Sequence, residues 1–345
     1  MRLRLATDAW APQINGVVVS IRNTLDQLRK AGYEVALIEP GQFRSIRCPT
    51  YPEIRLALRP ARGVLHAMES FAPHAIHIAT EGPLGLAARR YCVSRGLPFT
   101  TAYHTQFPRY VRARIAVPVG LTYRWLRWFH GPSSTVMTAT PAMRQELEQW
   151  EFRNVVHWGR GVDTSLFRPG PRAVISYPQP VFLYVGRVSI EKNIDAFLSL
   201  DLPGTKLIVG DGPDRKRLQR RFRDAIFVGA KSGTELAGYY QLADVFVFPS
   251  LTDTFGLVLA EAMACCTPVA AFPVTGPVDV VTDRRAGVLD TDLRWACVAA
   301  LALDRDDVAR FDRTFSWDAA TREFLRHAEQ SAVSRERKRP ASAAA

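Results

Sequence analysis

Two acids stand at a spacing that suits a phosphate-bearing ligand. Asp253 lies in a polar loop after the apolar run 245–249, and Glu261 lies eight residues later in a run of good helix formers. A strand, loop and helix of this kind directs unpartnered backbone N–H groups and the positive end of the helix dipole outwards, which attracts anions. Because carboxylates accept hydrogen bonds from hydroxyl groups, the stretch predicts a nucleotide sugar. Taken alone, it also fits an ordinary strand and helix joined by a solvated loop.

A glycine and two cations follow another apolar run, 181–185. Gly186 permits close backbone approach, and Arg187 and Lys192, five residues apart, can clamp a diphosphate. A solvated turn with incidental charges is the alternative. For the run Gly210-Asp211-Gly212-Pro213 we favour simple turn chemistry, with ligand contact at Gly210 as a secondary role.

The first half of the chain also has candidate ligand-binding residues directly after its strands. Asn15-Gly16-Val17 follows the first strand and places a glycine at the start of a helix. His104 follows another strand, at the end where parallel sheets present ligand-binding groups. We therefore predict a functional rather than a structural role for His104.

The elements that must position these residues alternate between strands and helices. The alternation runs from Leu3 to residue 157, is interrupted by a linker with four prolines at 168–180, and restarts at Val181. This pattern predicts an α/β fold with two doubly wound Rossmann-like domains that face a cleft and are joined by a stiff hinge. The predicted parts are an N-terminal domain at 1–172, a nucleotide-sugar-binding domain at 173–315, a C-terminal helix at 316–329 that packs back towards the first domain, and a disordered tail at 330–345.

Composition fits a globular intracellular protein. The 345 residues are 47% apolar and 23% charged, which suffices for two domains. The N-terminus has no apolar signal-peptide core, and the apolar stretch 256–274 contains Glu261 and Pro268, which favours helix, turn and strand over a membrane span. The five cysteines lack metal-ligand spacing, so we expect free thiols and a cytoplasmic protein.

The net charge of +12 is concentrated in the first half of the chain. Residues 1–172 hold 23 Lys and Arg against 11 Asp and Glu, whereas the remainder holds 22 of each. Such asymmetry indicates an anionic partner for the first half, either a membrane surface or nucleic acid.

Six stretches together resemble the family-four retaining glycosyltransferases, which have the two-Rossmann GT-B fold. The resemblance runs from about residue 2 to residue 328. The stretches are PQINGV at 12–17, YHTQFPRY at 103–110, RGVDTSLFRP at 160–169, VGRVSIEKN at 185–193, GDGP at 210–213 and DTFGLVLAEAMA at 253–264. Each is weak alone, but the combination is specific.

The resemblance implies a role for each candidate residue. Arg187 and Lys192 would neutralise the donor diphosphate, and Glu261 would hold the ribose hydroxyls. Asp253 would hold the transferred sugar, with His104 beside the sugar and the acceptor. The remaining implied contacts are the backbone of Phe255, Gly256 and Leu257 and Gly16 at the diphosphate, and Val228 and Gly229 near the base. No metal or other cofactor is expected, and we predict that Asp290-Thr291-Asp292, which matches an Asp-x-Asp metal pattern, is a loop.

The chain departs from the family pattern at two positions. Asp253 stands where the family often has Glu, a change that we expect to alter sugar choice rather than abolish activity. Cys266 stands where the family usually has Gly. If that position keeps a left-handed conformation, Cys costs about 1 kcal/mol relative to Gly.

Basic and aromatic residues interleave in the first half of the chain, which suits a peripheral anchor on anionic lipid. The residues are Arg109, Arg112, Arg114, Arg124, Arg127 and Arg172 with Tyr110, Tyr123, Trp125, Trp128 and Phe129. The alternative is an aromatic stripe in the core with a solvated basic face. The chain resembles bacterial enzymes that glycosylate diacylglycerol from a UDP-sugar, which implies a cytoplasmic enzyme on the inner face of the cell membrane.

Other functions compete with lipid glycosylation from UDP-glucose or UDP-glucuronic acid. One is a GDP-mannose-dependent mannosyltransferase that builds a lipid-linked or capsular glycan, and another is a UDP-sugar epimerase. A nucleic-acid-binding protein would use the basic half but would leave Arg187, Lys192 and Glu261 without a purpose, so we exclude nucleic acid as a partner.

Overall fold

The chain forms two compact units. The computed structural model describes residues 1–13, 15–48, 51–112, 117–171, 177–309 and 315–337. Unit 1 consists of Met1–Pro108, Val117–Gly159 and the C-terminal residues from Trp317, and unit 2 consists of Arg109–Ala116 and Arg160–Ser316.

Unit 1 is built around a parallel sheet of six strands in the order β2-β1-β5-β6-β7-β8, with a separate antiparallel hairpin, β3-β4. Strands β5, β6 and β7 are buried along their whole length, as expected for a sheet covered on both faces. The strands are β1 Arg2–Ala6, β2 Glu34–Ile38, β3 Ser45–Cys48, β4 Tyr51–Ala57, β5 Ala75–Ile78, β6 Thr100–Tyr103, β7 Thr135–Thr138 and β8 Val155–His157. The helices are α1 Gly16–Lys30, α2 Ala61–Phe71, α3 Pro83–Ser94, α5 Val119–His130 and α6 Pro141–Gln149, while α4 Phe107–Arg112 begins in unit 1 and its residues from Arg109 are grouped with unit 2.

Unit 2 repeats the plan with a parallel sheet in the order β11-β10-β9-β12-β13-β14. Its strands are β9 Val181–Val185, β10 Thr205–Val209, β11 Ile226–Gly229, β12 Val245–Phe248, β13 Val269–Ala271 and β14 Gly287–Leu289. Its helices are α7 Ile194–Leu198, α8 Arg215–Arg221, α9 Gly233–Leu242, α10 Leu257–Ala264, α11 Pro277–Val280, α12 Leu293–Ala300 and α13 Arg305–Ala309. The core packs the apolar faces of β9, β10 and β12 against α7 and α12.

The two units divide at Gly159 and Arg160, whereas the sequence predicts a domain boundary at residue 172. Residues from Arg160 onwards belong to unit 2, because Val162 N–H donates to Phe315 O at 3.2 Å and the Gln241 side chain donates to Arg168 O at 2.9 Å. The far end of the predicted hinge, at Pro178, accepts a 2.7 Å hydrogen bond from Thr205 Oγ1. Both described ends of that linker are therefore tied to unit 2, while residues 172–176 lie outside the described residues.

The last helix, α14, runs from Trp317 to Arg337 and belongs to unit 1. It packs against α1 and β5, and Glu323 and Glu329 bond to His157 and Tyr33. We predicted disorder from residue 330, but no proline or glycine interrupts the helix before Arg337. The rest of the predicted tail, 338–345, lies outside the described residues. In the part of the chain that the structure describes, no helix is both long and apolar enough to span a membrane.

Cys266 has the left-handed conformation that we expected, with φ of 60°, whereas its neighbour Cys265 ends α10 with φ of −88°. The structure shows no disulfide among the five cysteines, all of which lie within its described residues. We expect Cys266→Gly to raise the free energy of unfolding by up to about 1 kcal/mol in urea denaturation, because glycine removes the strain. Cys265→Gly is the matched control and is expected to lower it by about 1 kcal/mol. Equal effects of the two substitutions would contradict strain at Cys266.

Candidate functional site

The candidate site in unit 2 lies where its strand order reverses. Strand β9 pairs with β10 on one side and β12 on the other, so their following loops diverge to opposite faces of the sheet. Parallel sheets bind ligands in the crevice that this reversal opens at the carboxyl ends of the strands. The loop after β9 carries Arg187 and Lys192, and the loop after β12 carries Asp253.

The structure brings Lys192 and Asp253 into an ion pair across this crevice. Lys192 Nζ lies 2.5 Å from Asp253 Oδ1, and the two side chains are only 19% and 15% exposed. Burial opposes the ammonium charge, but the Asp253 carboxylate outweighs it and raises the pKa of Lys192 well above its usual value. Lys192 therefore stays charged throughout the physiological pH range.

Neighbouring hydrogen bonds fix both partners of this ion pair. A short 3-10 turn at Ile190–Lys192 ends at Asn193, whose left-handed conformation separates the turn from α7. The Asn193 side chain donates to Pro249 O at 3.1 Å, and Thr252 Oγ1 donates to Glu191 O at 3.3 Å. The loops after β9 and β12 are thus bonded to each other beside the pair.

A buried tyrosine supports the turn that carries Arg187. The Tyr184 hydroxyl donates to Arg187 O at 2.8 Å, and Gly186 has φ of 149° at the same turn. A Cβ at Gly186 would lie 2.9 Å from the Tyr184 hydroxyl oxygen. Glycine is therefore required for this close approach.

Gly210 packs directly on the Gly186 turn, in keeping with the turn chemistry that we favoured for this run. A Cβ at Gly210, which has φ of 146°, would lie 1.8 Å from Gly186 O. We expect Gly210→Ala to lower the free energy of unfolding by about 3 kcal/mol and to weaken donor binding, measured by urea denaturation and calorimetry. Gly238→Ala in α9 is the control, because its Cβ meets nothing within 4 Å. A Gly210→Ala protein as stable as the wild type would refute the close packing.

The carboxyl end of β11 lies next to Gly210. Gly210 N–H donates to Gly229 O at 2.9 Å, and Gly229 has φ of 83°. The Arg215 guanidinium lies beside Gly229 and contacts Asp211 at 3.2 Å. The predicted base-binding residues are Val228 and Gly229. They lie next to the turn at Gly210, which in turn packs on the turn at Gly186.

Helix α10 leaves Phe255 outside and begins two residues later in the chain. Gly256 is its N-cap, with φ of 82°, and Leu257 is its first residue. The left-handed backbone of Gly256 cannot continue a helix, which explains the delayed start. Glu261 is the fifth residue of α10, one turn from the end that carries Phe255, Gly256 and Leu257.

The Glu261 side chain is half-buried, and its carboxyl is largely withdrawn from solvent. Burial raises the pKa of Glu261 to about 7, although a hydrogen bond from the Tyr240 hydroxyl, 2.8 Å from Oε2, opposes the shift. A perturbed acid in a crevice is a common feature of functional sites.

Unit 1 holds the other two predicted residues. Gly16 begins α1, where Asn15 caps the helix by accepting from Val18 N–H at 3.0 Å. His104 follows β6, and its ring packs edge-on against Trp158 with centroids 5.5 Å apart. Strand β5 lies between β1 and β6, so Gly16 and His104 follow strands that are not neighbours.

Sequence reasoning missed the supporting roles of two residues, Asp8 and Tyr110. Asp8, buried after β1, accepts from Leu84 N–H at 2.9 Å and caps α3. Tyr110, in the segment grouped with unit 2, is hydrogen-bonded with Thr252 near Lys192. Tyr110 does belong to a stretch that we singled out, but Asp8 carries no signal beyond its position after a strand.

The Asp-x-Asp run is a loop, as we predicted. Asp292 caps α12 by accepting from Arg294 and Trp295 N–H groups, and Asp290 accepts from Asp292 N–H at 2.8 Å. Over the described residues, no three His, Cys, Asp or Glu side chains are grouped so that they could hold a metal ion.

The basic and aromatic stretch divides between core and surface. Tyr123 and Phe129 of α5 are buried, so for these two residues the core alternative is correct. The outward face of α5 carries Leu121 and Trp128, 48% and 54% exposed, with Arg124 between them. Arg114 and Arg172 lie outside the described residues.

Comparisons with known proteins place both units in one enzyme family. Residues 14–166 match the model of Glycosyltransferase Family 4, and residues 172–295 match that of Glycosyl transferases group 1. The chain is 31% identical over 317 residues to a GDP-mannose-dependent alpha-mannosyltransferase of Mycobacterium tuberculosis, covering 84% of this chain and 83% of the relative. It is 28% identical over 353 residues to an alpha-monoglucosyldiacylglycerol synthase of Streptococcus pneumoniae, covering 89% and 79%.

Solved structures agree on the fold. Sucrose-phosphate synthase from Thermosynechococcus elongatus matches with a TM-score of 0.73 at 19% identity, covering 96% of this chain and 99% of that one. The catalytic domain of starch synthase IV from Arabidopsis thaliana matches with a TM-score of 0.70 at 13% identity, with the same coverage. The predicted GT-B fold class is confirmed, and the family match decides for a transferase over an epimerase. The chain belongs to glycosyltransferase family 4 and is a glycosyltransferase acting on lipid or glycan acceptors.

Proposed function

We propose that the protein transfers a hexose, with retention of configuration, from UDP-glucose or UDP-glucuronic acid to a lipid hydroxyl, with diacylglycerol as the acceptor. The main support for a donor site in unit 2 is the Lys192–Asp253 ion pair, which lies where the strand order reverses. The pair sets a fixed cation and a hydroxyl acceptor side by side, which suits the point where a sugar joins a phosphate.

In this proposal, the barrier to transfer is the negative charge that develops on the departing nucleoside diphosphate. Lys192 and Arg187 neutralise that charge, and backbone N–H groups at the start of α10 and at Gly16 assist them. Because two side-chain cations already face the diphosphate, we expect no metal requirement and undiminished turnover in EDTA.

The acids and glycine turns bind the rest of the donor. Asp253 accepts from a hydroxyl of the transferred hexose, and Glu261 accepts from the ribose hydroxyls. The base lies against Val228 and Gly229. His104 lies beside the hexose and the acceptor hydroxyl.

The donor and the acceptor are tested together. Purified protein is incubated with UDP-glucose, UDP-glucuronic acid or GDP-mannose, each with and without diacylglycerol in mixed micelles. Nucleoside diphosphate release and labelled lipid product are then measured. We expect diacylglycerol-dependent release from a UDP-sugar that is lost in Glu261→Ala. Release that depends only on a soluble glycan acceptor would overturn the lipid proposal.

A GDP-mannose-dependent mannosyltransferase is the second candidate. It is favoured by the 31% identity to the mycobacterial protein of that name, whereas the pneumococcal diacylglycerol synthase favours the first. In the same assay, lipid-dependent release of GDP but not UDP would decide for this candidate.

We also propose that unit 1 contacts an anionic membrane surface through the α5 patch, defined as Leu121, Arg124 and Trp128. Arg89 adds a second cation, since its guanidinium lies 3.9 Å from the centre of the Trp128 ring. Exposed aromatic and aliphatic side chains beside cations suit a lipid interface. This placement would make the enzyme a cytoplasmic protein bound peripherally to the inner face of the membrane.

Vesicle binding tests the α5 patch. In sedimentation with phosphatidylglycerol vesicles, we expect Arg124→Glu with Trp128→Ala to weaken binding about tenfold or more. Arg29→Glu on α1 is the charge-matched control and should bind as the wild type does. Equal binding to phosphatidylcholine and phosphatidylglycerol vesicles would refute an electrostatic contact.

A further inference from the structure

Tyr240 is held rigidly on α9 beside the acid of α10. Its side chain is fully buried, and its ring packs edge-on against Phe246 and Phe167, with centroids 5.6 Å and 5.8 Å away. Thr267 Oγ1 donates to Tyr240 O at 2.6 Å and fixes the backbone as well. The hydroxyl therefore has one well-defined direction, towards Glu261.

The Tyr240 hydroxyl donates to Oε2 of Glu261 at 2.8 Å. A carboxylate has two oxygens and about four acceptor positions, so one donor leaves most of that capacity for a ligand. A ribose diol offers two neighbouring hydroxyl groups, which a carboxylate can accept together if its plane is fixed. A buried carboxyl without a donor would instead favour the neutral form, which offers a donor to the ligand.

The elements packed around α10 carry few other groups that could take this role. Helix α13 supplies Arg305, whose guanidinium donates to the carbonyl groups of Ala243, Gln241 and Cys265. Helix α11 carries Asp279, and β12 and β13, the two strands in contact with α10, carry only apolar side chains. The hydrogen bond that the structure gives to the Glu261 carboxyl comes from Tyr240.

We propose that Tyr240 is a positioning residue that orients the Glu261 carboxylate towards the ribose diol of the donor and so makes the site select ribose over deoxyribose. The inference rests on the proposed role of Glu261 in donor binding. Tyr240 does not contact the reacting atoms. Its loss should therefore weaken donor binding and leave the chemical step almost unchanged.

The test compares ribose and deoxyribose ligands. Binding of UDP and 2′-deoxy-UDP, or of GDP and 2′-deoxy-GDP if the donor assay selects guanosine, is measured by calorimetry for each variant. We expect Tyr240→Phe to weaken binding of the ribonucleotide about tenfold and that of the deoxynucleotide less than threefold. In turnover, KM for the donor should rise about tenfold, with kcat within twofold of the wild type.

Tyr239→Phe is the matched control, since it removes the same hydroxyl one residue away. The Tyr239 ring lies 5.9 Å from Lys231 Nζ, on another side of the helix. Tyr239→Phe should retain the ribose preference of the wild type. Thermal melting of both variants checks that the ring packing has survived.

The outcomes separate this inference from the proposed function. If Glu261→Ala keeps the full ribose preference, the assignment of Glu261 to the ribose is wrong. If Glu261→Ala loses the preference but Tyr240→Phe keeps it, the positioning role alone is overturned. An equal loss of both nucleotides in Tyr240→Phe points to a purely structural role and also overturns the inference.

Discussion

Replacing Lys192 by alanine is expected to lower kcat/KM for the sugar donor about a thousandfold. The substitution removes a fixed cation from the point where charge develops on the leaving diphosphate. It also leaves the Asp253 carboxylate, only 15% exposed, without the ammonium that lies 2.5 Å away. Removing one partner of a shielded ion pair lowers stability more than replacing both partners by apolar residues, because the remaining charge stays shielded from water. The measurement is steady-state release of nucleoside diphosphate at saturating acceptor.

Lys216→Ala is the control for this prediction. Lys216 is an exposed cation on α8 of the same unit, so it tests whether any loss of positive charge reduces turnover. Its activity should stay within twofold of the wild type. A Lys192→Ala protein that melts normally and keeps more than a tenth of wild-type kcat/KM would refute the catalytic role of Lys192.

The long apolar runs of the sequence predict the sheets well. Strand β9 coincides with the apolar run 181–185, because continuous aliphatic and aromatic residues suit a strand buried on both faces of a sheet. The hairpin β3-β4 was missed, since its strands carry exposed residues without a clear alternation. The left-handed Asn193 separates the turn at Ile190–Lys192 from α7, a break that the motif at 185–193 did not reveal although asparagine tolerates this conformation.

The sequence identified individual candidate residues of the site but not the contacts between them. Lys192 and Asp253 were both assigned to the donor, yet their ion pair spans 61 residues and depends on β9 and β12 being neighbours. The Tyr240–Glu261 hydrogen bond depends on α9 and α10 packing side by side. Spacing along one chain does not determine strand order or helix neighbours, so these pairings required the structure.

Glu261→Gln is expected to stabilise the protein at alkaline pH. In the folded protein the pKa of Glu261 is about 7, above the ordinary value of 4.5. A raised pKa means that the folded state favours the protonated acid, so its contribution to stability is complete below about pH 4.5 and is lost as pH rises through 7. Glutamine stays neutral at every pH, so the variant does not lose this contribution to stability. We expect nearly equal stability of the two proteins at pH 4.5 and an advantage for the variant of about 3 kcal/mol at pH 8.5.

Urea denaturation at these two pH values measures the difference, with Glu235→Gln, an exposed acid on α9, as the control that should show no such dependence. A constant difference between Glu261→Gln and the wild type at both pH values would contradict the raised pKa. Donor binding should change in the opposite direction, because the ribose hydroxyls need an ionised acceptor. Wild-type affinity should rise from pH 6 to pH 8, whereas the variant should bind weakly at both. The Glu261 carboxylate would thus destabilise the folded protein at the pH where it binds the donor best. This trade-off is typical of a residue with a binding role rather than a structural one.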